Sequence, residues 1–328
     1  MVKAVVCSSL GGIDALTLED LPARPPGPGE LRVAVRAAGL NFPDLLMAAG
    51  RYQLRHPLPF VLGLEAAGVV VEAGEGADAR RVGERVMFRA WQGCFAEEAV
   101  VPAAEALPMP AGFSFAEGAS FVVATATATN ALLQRGRLEP GEVLLVHGAA
   151  GGVGLAAVEV GKLLGATVIG TASSPVKLAI ARSRGCDHGI DYTRERFADR
   201  VKALTEGAGA DVILDTVGGE VFDQSVRCVA WGGRILVVGF AGGTIPELKM
   251  NQPLLKCFSI VGVRAIEHAE RKPRDGAACR AWMLDQAGRG HLRPHVSHVL
   301  PLERFGEALE LLRTRQAIGR VVLQIGSG

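Results

Sequence analysis

The first part of the chain carries short runs in which apolar and polar residues alternate, separated by turn-forming residues. This alternation is typical of strands that bury one face. Because the runs are short and closely spaced, residues 1 to roughly 120 predict a β-rich unit. The expected strands are Lys3–Cys7, Leu31–Ala38, Ala67–Ala73, Arg85–Phe88 and Cys94–Val101.

From residue 143 the pattern changes to buried β-type runs separated by stretches long enough for helices. Regular alternation of this kind predicts a parallel, doubly wound sheet, so the fold class is α/β. A closing helix and strand leave two alternatives open, since they extend this sheet or return to the first region. The expected elements are a helix over Phe115–Gln134, strands at 143–147, 167–171, 211–215, 234–238 and 259–263, a helix within Pro301–Leu312 and a strand over Gly319–Gln324.

A glycine- and alanine-rich turn follows the strand that ends at His147 and leads directly into a helical pattern. Such a turn lets backbone amides approach a pyrophosphate, and the following helix adds its positive N-terminal end. The motif departs from Gly-x-Gly-x-x-Gly at Ala149, but its strand–turn–helix context predicts a dinucleotide site. The expected contacts are Ala150, Gly151, Gly152 and Val153.

The next strand, which ends at Thr171, is followed by Ser173 and Lys177. A dinucleotide site for NAD(H) normally places Asp or Glu near this point to bind a ribose 2′-hydroxyl, and none is present. A hydroxyl and an ammonium suit a 2′-phosphate, so the cofactor is expected to be NADP(H). The alternative is that Lys177 is an ordinary solvated loop lysine.

Composition narrows the protein class without naming a function. With 328 residues, 49% of them hydrophobic, the chain predicts about two globular domains. A net charge of +1 gives no electrostatic case for nucleic acid or for an anionic membrane. Six scattered cysteines without a Cys-x-x-Cys pair, and no long apolar segment, suggest a cytoplasmic protein that does not enter the membrane.

The densest group of functional side chains in the first region contains Asn41, Asp44 and Tyr52. Asn41 offers an amide donor and Tyr52 a phenol to polarise an electrophile, which makes both candidate catalytic residues. The alternative for Asn41 and Asp44 is structural, as caps of a helix that begins after Pro43. No metal site is expected, because the histidines between 291 and 298 do not share a helical face. His147 is expected to be a sheet-end residue rather than a base.

Several segments together make the chain similar to a known family. It resembles the zinc-independent quinone oxidoreductase, or ζ-crystallin-like, branch of the medium-chain dehydrogenase/reductase superfamily. The resemblance implies a GroES-like β-rich catalytic domain over 1–122, completed by about 290–328, with a Rossmann domain over 123–289, and a homodimer formed through the Rossmann sheet edge. It rests on Ala38-Gly-Leu-Asn-Phe-Pro-Asp44, Gly63-Leu-Glu-Ala-Ala-Gly68, Gly83-Glu-Arg-Val86, Gly93-Cys-Phe-Ala-Glu97, His147–Gly154 and Gly319-Arg-Val-Val-Leu323.

Two positions depart from the zinc-dependent relatives. Asn41 stands where those proteins carry a catalytic cysteine, and Leu64 replaces the histidine of their Gly-His-Glu motif. The resemblance therefore implies hydride transfer without zinc. Cys94 replaces a commoner glycine and is expected to be a partly exposed thiol. Residues that the resemblance places at the cofactor are Asn41 and Thr127 at the nicotinamide end, Gly152 and Val153 at the pyrophosphate, Ser173, Lys177 and Tyr192 at the adenosine 2′-phosphate, and Gly239 and Phe240 at the cleft.

The function expected first is an NADPH-dependent quinone oxidoreductase, in which Asn41 and Tyr52 orient the carbonyl of a quinone or similar conjugated substrate. A second enzyme hypothesis is a reductase of 2-alkenals, enones or enoyl thioesters. A hypothesis of another class is an NADPH-binding structural or RNA-associated protein, a role that occurs among ζ-crystallin relatives. The net charge does not favour RNA.

Overall fold

The computed structural model describes residues 1–326, which divide into two compact units. The first unit comprises Met1–Val123 together with the chain from Pro294 onward, and the second comprises Ala124–Arg293. The second unit is therefore inserted between two parts of the first. Within the described residues, no helix is long and apolar enough to cross a membrane.

The first unit is built mainly of antiparallel strands. A short helix, α1 (Phe42–Ala48), follows its longest strand, and α2 (Phe115–Thr129) begins in this unit and ends in the second. The N-terminal strands of this unit are β1 (Val2–Cys7), β2 (Leu16–Leu21), β3 (Glu30–Gly39), β4 (Phe60–Val61), β5 (Glu65–Ala73), β6 (Arg85–Arg89), β7 (Glu98–Pro102) and β8 (Leu107–Pro108).

The C-terminal segment completes the first unit. It contains β15 (Val296–Pro301), α10 (Phe305–Arg313) and β16 (Arg320–Gln324). Strand β16 pairs antiparallel with β3, and β15 pairs parallel with β16. The last αβ segment thus returns to the first region, the alternative that the hydrophobic pattern alone had left open. A seven-stranded sheet runs in the order β15-β16-β3-β5-β6-β8, with β7 also paired to β3, and a three-stranded sheet runs β2-β1-β4.

Alternating burial along β3 explains why this strand is central to the first unit. Leu31, Val33 and Val35 are fully buried, while the residues between them are partly exposed. One face therefore packs into a core that includes Phe88 and Phe95. Burying such side chains contributes roughly 1.5–3 kcal/mol each relative to leaving them in water.

The second unit contains a six-stranded parallel sheet in the order β11-β10-β9-β12-β13-β14. Its strands are β9 (Val143–His147), β10 (Thr167–Ala172), β11 (His188–Asp191), β12 (Ala210–Asp215), β13 (Val229–Val237) and β14 (Ser259–Gly262). Its helices are α3 (Gly152–Leu163), α4 (Pro175–Ser183), α5 (Phe197–Leu204), α6 (Glu220–Cys228), α7 (Asn251–Lys256), α8 (Ala265–Arg271) and α9 (Pro273–Gly288).

The strand order places β9 in the middle of this sheet, with β10 and β12 on either side. Their carboxyl ends lie at one edge, where open α/β sheets bind ligands. The predicted fold class, a doubly wound parallel sheet plus a GroES-like β-rich unit, is confirmed. The predicted helix over Phe115–Gln134 ends as α2 at Thr129 and continues as a wider helical turn over Asn130–Arg135.

Candidate functional site

The turn after β9 presents backbone amides at the start of α3. Gly148 has a φ of 63°, and Gly151 is the residue that precedes the helix. The first amides of any helix have no partner within it, so those of Gly152 and Val153 are available to an anion. Ala149 and Ala150 are buried, so neither side chain blocks that approach. The turn therefore has the construction of a pyrophosphate site.

Gly154 allows the helix to pack directly on this turn. A Cβ atom at Gly154 would lie 2.1 Å from the carbonyl oxygen of Gly148, far inside van der Waals contact. Only glycine permits this approach, which corresponds to the third glycine of the dinucleotide motif. Ala149 stands at the position of the first glycine, and its Cβ lies against Gly170, where an added Cβ would come within 2.8 Å of it.

Ser173 and Lys177 lie together where β10 gives way to α4. The Lys177 ammonium is 3.2 Å from the Ser173 hydroxyl, and the Ser174 hydroxyl accepts a hydrogen bond from the Lys177 backbone amide. Ser174 thereby caps α4 and fixes the turn that carries the lysine. The side chains of Ser173 and Lys177 form a cationic, donor-rich group at the carboxyl end of β10, where NAD(H) sites carry an acid.

Tyr192 follows the neighbouring strand β11, and its backbone contacts the residue before Ser173. Its backbone amide bonds to the Ala172 carbonyl at 3.2 Å, and its side chain is 44% exposed. Asp191, one residue before, is the nearest acid along the chain. Its carboxylate accepts hydrogen bonds from the hydroxyl and the backbone amide of Thr193, which lower its pKa. Asp191 is thus engaged locally by Thr193.

Two further turns lie at the same sheet edge. Asp215, which ends β12, accepts hydrogen bonds from the amides of Val217 and Gly218. The segment containing Gly239 and Phe240 follows β13, and a Cβ at Gly218 would lie 2.8 Å from the Phe240 ring. The structure thus brings Gly239 and Phe240 against a turn that the sequence had not singled out. The Asp215–Gly218 turn could have been suspected from its Asp-Thr-Val-Gly-Gly composition.

His147 is a buried structural residue, as expected from its place at the end of β9. Its two ring nitrogens lie 3.0 Å from the Thr171 hydroxyl and 2.9 Å from the Ser225 hydroxyl. Ser225 donates its own hydrogen to the Val221 carbonyl, so Nε2 of His147 carries the ring proton. Burial lowers the pKa of His147 to about 4, and the ring is neutral at neutral pH.

Thr127 lies in a run of alternating alanine and threonine in α2. Thr125 and Thr129 are buried, whereas Thr127 is partly exposed. The exposure pattern therefore distinguishes Thr127 from its neighbours, among which sequence alone allowed a shift of register.

In the first unit, Asn41 and Asp44 form the N-terminal cap of α1. The Asp44 carboxylate accepts a hydrogen bond of 2.7 Å from the Asn41 backbone amide, the arrangement of a capping box. The structural alternative, in which both residues cap a helix, is confirmed, although the helix begins at Phe42, before Pro43. Both residues are buried, and burial raises the pKa of Asp44 to about 7.

The Asn41 side chain also belongs to a buried polar cluster with Glu65 and Arg320. Its amide nitrogen donates to Glu65 at 3.1 Å, and its oxygen accepts from Arg320 at 3.0 Å. Arg320 also forms an ion pair with Glu65, and all three side chains are more than nine-tenths buried. Sequence reasoning missed Glu65 and Arg320, because the segments that carry them are 255 residues apart.

Tyr52 lies apart from that cluster. It lines a small hollow of about 20 Å³ together with Arg55, His56 and Phe60. Its ring also packs against the core of the first unit. The structure therefore does not bring the two predicted catalytic residues, Asn41 and Tyr52, into one hydrogen-bonded group among the described contacts.

The expectation for Cys94 was wrong. Cys94 is fully buried, and burial raises the pKa of its thiol well above the ordinary range. The cause is a turn that replaces the beginning of the predicted Cys94–Val101 strand. The Cys94 amide bonds to the Gly63 carbonyl, and Phe95 packs so closely that a Cβ at Gly63 would lie 2.4 Å from its ring. Strand β7 begins only at Glu98.

Potential metal ligands are dispersed. Across residues 1–326, no group of three or more histidine, cysteine, aspartate or glutamate side chains is placed to hold a metal ion. The histidines between 291 and 298 form no such group, and His298 is bonded to the Ser297 hydroxyl at 2.9 Å.

Comparison with known proteins assigns both units to one superfamily. The family model for the alcohol dehydrogenase GroES-like domain matches residues 27–111, and the model described as zinc-binding dehydrogenase matches residues 152–275. A quinone oxidoreductase-like protein 2 homolog from Nematostella vectensis is 39% identical over 98% of this chain and 88% of its own length. The chain belongs to the zinc-independent quinone oxidoreductase branch of the medium-chain dehydrogenases/reductases.

Other members of the superfamily are similar over almost the whole chain. The structure of Escherichia coli quinone oxidoreductase complexed with NADPH has a TM-score of 0.91 and 26% identity, covering 98% of this chain and 99% of that one. A 2-haloacrylate reductase from a Burkholderia species is 34% identical, covering 98% of this chain and 99% of that one. The acceptors that the names of these two relatives give, a quinone and a 2-haloacrylate, differ.

Proposed function

We propose that the protein is an NADPH-dependent oxidoreductase that reduces quinones or similar conjugated carbonyl compounds. The observation that carries the cofactor choice is the Ser173–Lys177 pair at the carboxyl end of β10, with its 3.2 Å contact and no acid in the turn. The names of the quinone oxidoreductase-like relatives support the acceptor class.

The residues of the second unit fit a dinucleotide phosphate. The amides of Gly152 and Val153 would hold the pyrophosphate, because Gly154 lets the helix end approach without a side chain. Ser173 and Lys177 would bind the 2′-phosphate, and Tyr192 would pack against the adenosine. Thr127, Gly239 and Phe240 remain proposed contacts toward the nicotinamide. NADPH would supply the hydride when bound.

In the first unit, Asn41 is proposed to donate a hydrogen bond to the acceptor or to the nicotinamide amide. One of its amide hydrogens bonds to Glu65. The other forms a longer bond, with 3.3 Å between the Asn41 nitrogen and the Gly39 carbonyl oxygen. That second bond is longer than the usual 2.9–3.0 Å or so and is the one that a ligand oxygen can replace. Tyr52 is proposed to contact the acceptor ring from the edge of its hollow.

No metal is required in this proposal. Asn41 and Leu64 stand where the zinc-dependent relatives have ligands, and an asparagine amide and a leucine do not replace a thiolate and an imidazole. The acceptor carbonyl would be polarised by hydrogen bonds instead. The proton for the product would come from solvent or from a hydroxyl group.

A second candidate is reduction of conjugated alkenes, such as 2-alkenals, enones or enoyl thioesters. The specific support is the 2-haloacrylate reductase, which is 34% identical over nearly the whole chain. The same hydride donor and the same polarised carbonyl serve both reactions, since both acceptors carry a double bond conjugated to a carbonyl group.

The deciding experiment measures NADPH oxidation with a panel of quinones, enals, enones, a haloacrylate and crotonyl-CoA. Turnover with quinones at least tenfold above the alkenes, in kcat/KM, supports the first candidate, and the reverse order supports the second. Parallel reactions with NADH test the cofactor choice. NADPH binding without turnover of any acceptor would refute both and favour a structural or RNA-associated role.

We also propose that the protein is a homodimer formed through the β14 edge of the parallel sheet. Strand β14 ends the sheet order, and large apolar side chains nearby are exposed. Trp231 is 73% exposed, Leu254 75% and Leu255 68%. An exposed strand edge next to apolar side chains is the kind of surface that proteins cover by association.

A reducing compartment such as the cytoplasm is the proposed location. All six cysteines are free thiols, and five of them are buried. Free thiols persist where glutathione and thioredoxin keep them reduced.

A further inference from the structure

The orientation of the Asn41 side chain is set by two charged neighbours. An asparagine amide has two nearly identical shapes, related by exchange of its oxygen and nitrogen, and its partners decide between them. The Arg320 guanidinium can only donate, so it must face the amide oxygen, and the Glu65 carboxylate can only accept, so it must face the nitrogen. If the Asn41 oxygen and nitrogen were exchanged, two donors would face each other at Arg320 and two acceptors at Glu65.

Burial makes this selection strong. Glu65 is fully buried and Arg320 is 6% exposed, so neither charge can turn to solvent. The Glu65 carboxylate is also held at its other oxygen by the Val123 amide at 2.9 Å. Gly39 leaves room for the guanidinium, because a Cβ there would lie 3.1 Å from an Arg320 nitrogen and 2.0 Å from the Ala119 carbonyl oxygen.

We propose that Arg320 and Glu65 are positioning residues that hold the Asn41 amide in its working orientation. With the oxygen bound to Arg320 and one amide hydrogen bound to Glu65, the second hydrogen is directed along the long bond to Gly39. A ligand oxygen would accept a hydrogen bond from that second amide hydrogen. The inference rests on the proposed function only in assigning this hydrogen to the acceptor or nicotinamide; the fixed orientation stands without it.

The first test is a double-mutant cycle on NADPH oxidation. Asn41→Ala and the paired variant Glu65→Gln/Arg320→Met, which removes both buried charges together, should each lower kcat by roughly 10–100-fold. The triple variant should be no slower than either, because the pair acts only through Asn41. KM for NADPH and KM for the acceptor should each change less than kcat. Additive losses would overturn the inference.

A matched control separates positioning from general stability. Arg32 lies in the same sheet and also binds two carboxylates, those of Glu72 and Glu98. Arg32→Met should lower resistance to urea while leaving kcat unchanged. Arg320→Lys should recover part of the kcat lost in Arg320→Met, since an ammonium can still donate to the Asn41 oxygen. No recovery by lysine, in a variant that is folded by circular dichroism, would count against a positioning role.

The second test does not need activity. The chain has three asparagines, so selective ¹⁵N labelling resolves their side-chain amides, and Asn41→Ala assigns the signal. The Asn41 amide hydrogens should exchange with solvent much more slowly than those of exposed Asn251, and the paired variant should lose this protection. Unchanged protection would overturn the inference. Absence of turnover in the wild type would refute only the proposed function. The amide exchange measurement would still decide whether Arg320 and Glu65 hold the Asn41 amide.

Discussion

The neutral, buried His147 makes a quantitative prediction about stability and pH. Its ring lies between the Thr171 and Ser225 hydroxyls and packs edge-on against Phe197 at 4.6 Å, with no room for solvent to stabilise a charge. The pKa of His147 falls from 6.5 in the unfolded chain to about 4 in the folded protein. Below pH 6.5 or so, the unfolded chain therefore takes up a proton that the folded state refuses.

The size of the effect follows from these two pKa values. Their difference of about 2.5 units corresponds to a limiting loss of about 3.4 kcal/mol in the free energy of unfolding. At about pH 5 the unfolded chain is almost fully protonated at this site, and the loss is about 2 kcal/mol; at about pH 7.5 it is close to zero. Stability from this residue is present above the unfolded pKa and declines as the pH falls toward the folded pKa.

Urea unfolding of the wild type and of His147→Gln at the two pH values isolates this contribution. The comparison is needed because Asp44 and Glu159, whose pKa values burial raises to about 7, favour the folded state at the lower pH. His147→Gln should be less stable than the wild type at both pH values. The difference in their free energies of unfolding should be smaller by about 2 kcal/mol at about pH 5 than at about pH 7.5. An equal difference in the free energy of unfolding at both pH values would refute the reasoning.

Four further outcomes are expected. Lys177→Ala should weaken NADPH binding by about 1.5–3 kcal/mol and leave NADH nearly unchanged, by titration calorimetry; equal losses would contradict the 2′-phosphate assignment. Ellman's reagent should label one thiol of the native protein rapidly, the exposed Cys257, and none in Cys257→Ser. Light scattering should give twice the chain mass, and Leu254→Glu should lower it to that of a monomer; a monomeric wild type would remove the dimer. Elemental analysis should find no stoichiometric zinc, and a tightly held zinc in each chain would contradict a metal-free mechanism.

Local pattern was sufficient for the elements whose signal is local. Strand β9 was predicted to the residue, because a buried parallel strand reads as a continuous apolar run bounded by turns. Strand β11 was not predicted, because His-Gly-Ile-Asp is short and mostly polar and becomes a strand only by pairing with β10. The error at Cys94 is of the same kind, since contact with Gly63 converts a strand-like sequence into a buried turn.

In the candidate site too, the features contained in one short segment could be predicted and those formed by distant segments could not. The turn before α3 and the Ser173–Lys177 pair could be predicted, because each is contained in a short segment that follows a strand. Glu65 and Arg320 could not, because nothing in either segment indicates that two charges will meet in the core. Their meeting depends on β16 pairing with β3, a contact that joins distant parts of the chain.

The return of β16 to the first unit also sets an order of events during synthesis. Glu65 leaves the ribosome 255 residues before Arg320, which at about 5–20 residues per second is a delay on the order of tens of seconds. Throughout that interval the carboxylate lacks its counter-ion and β3 lacks one neighbour. The inserted second unit is complete before β16 emerges, so the region made first is the region finished last.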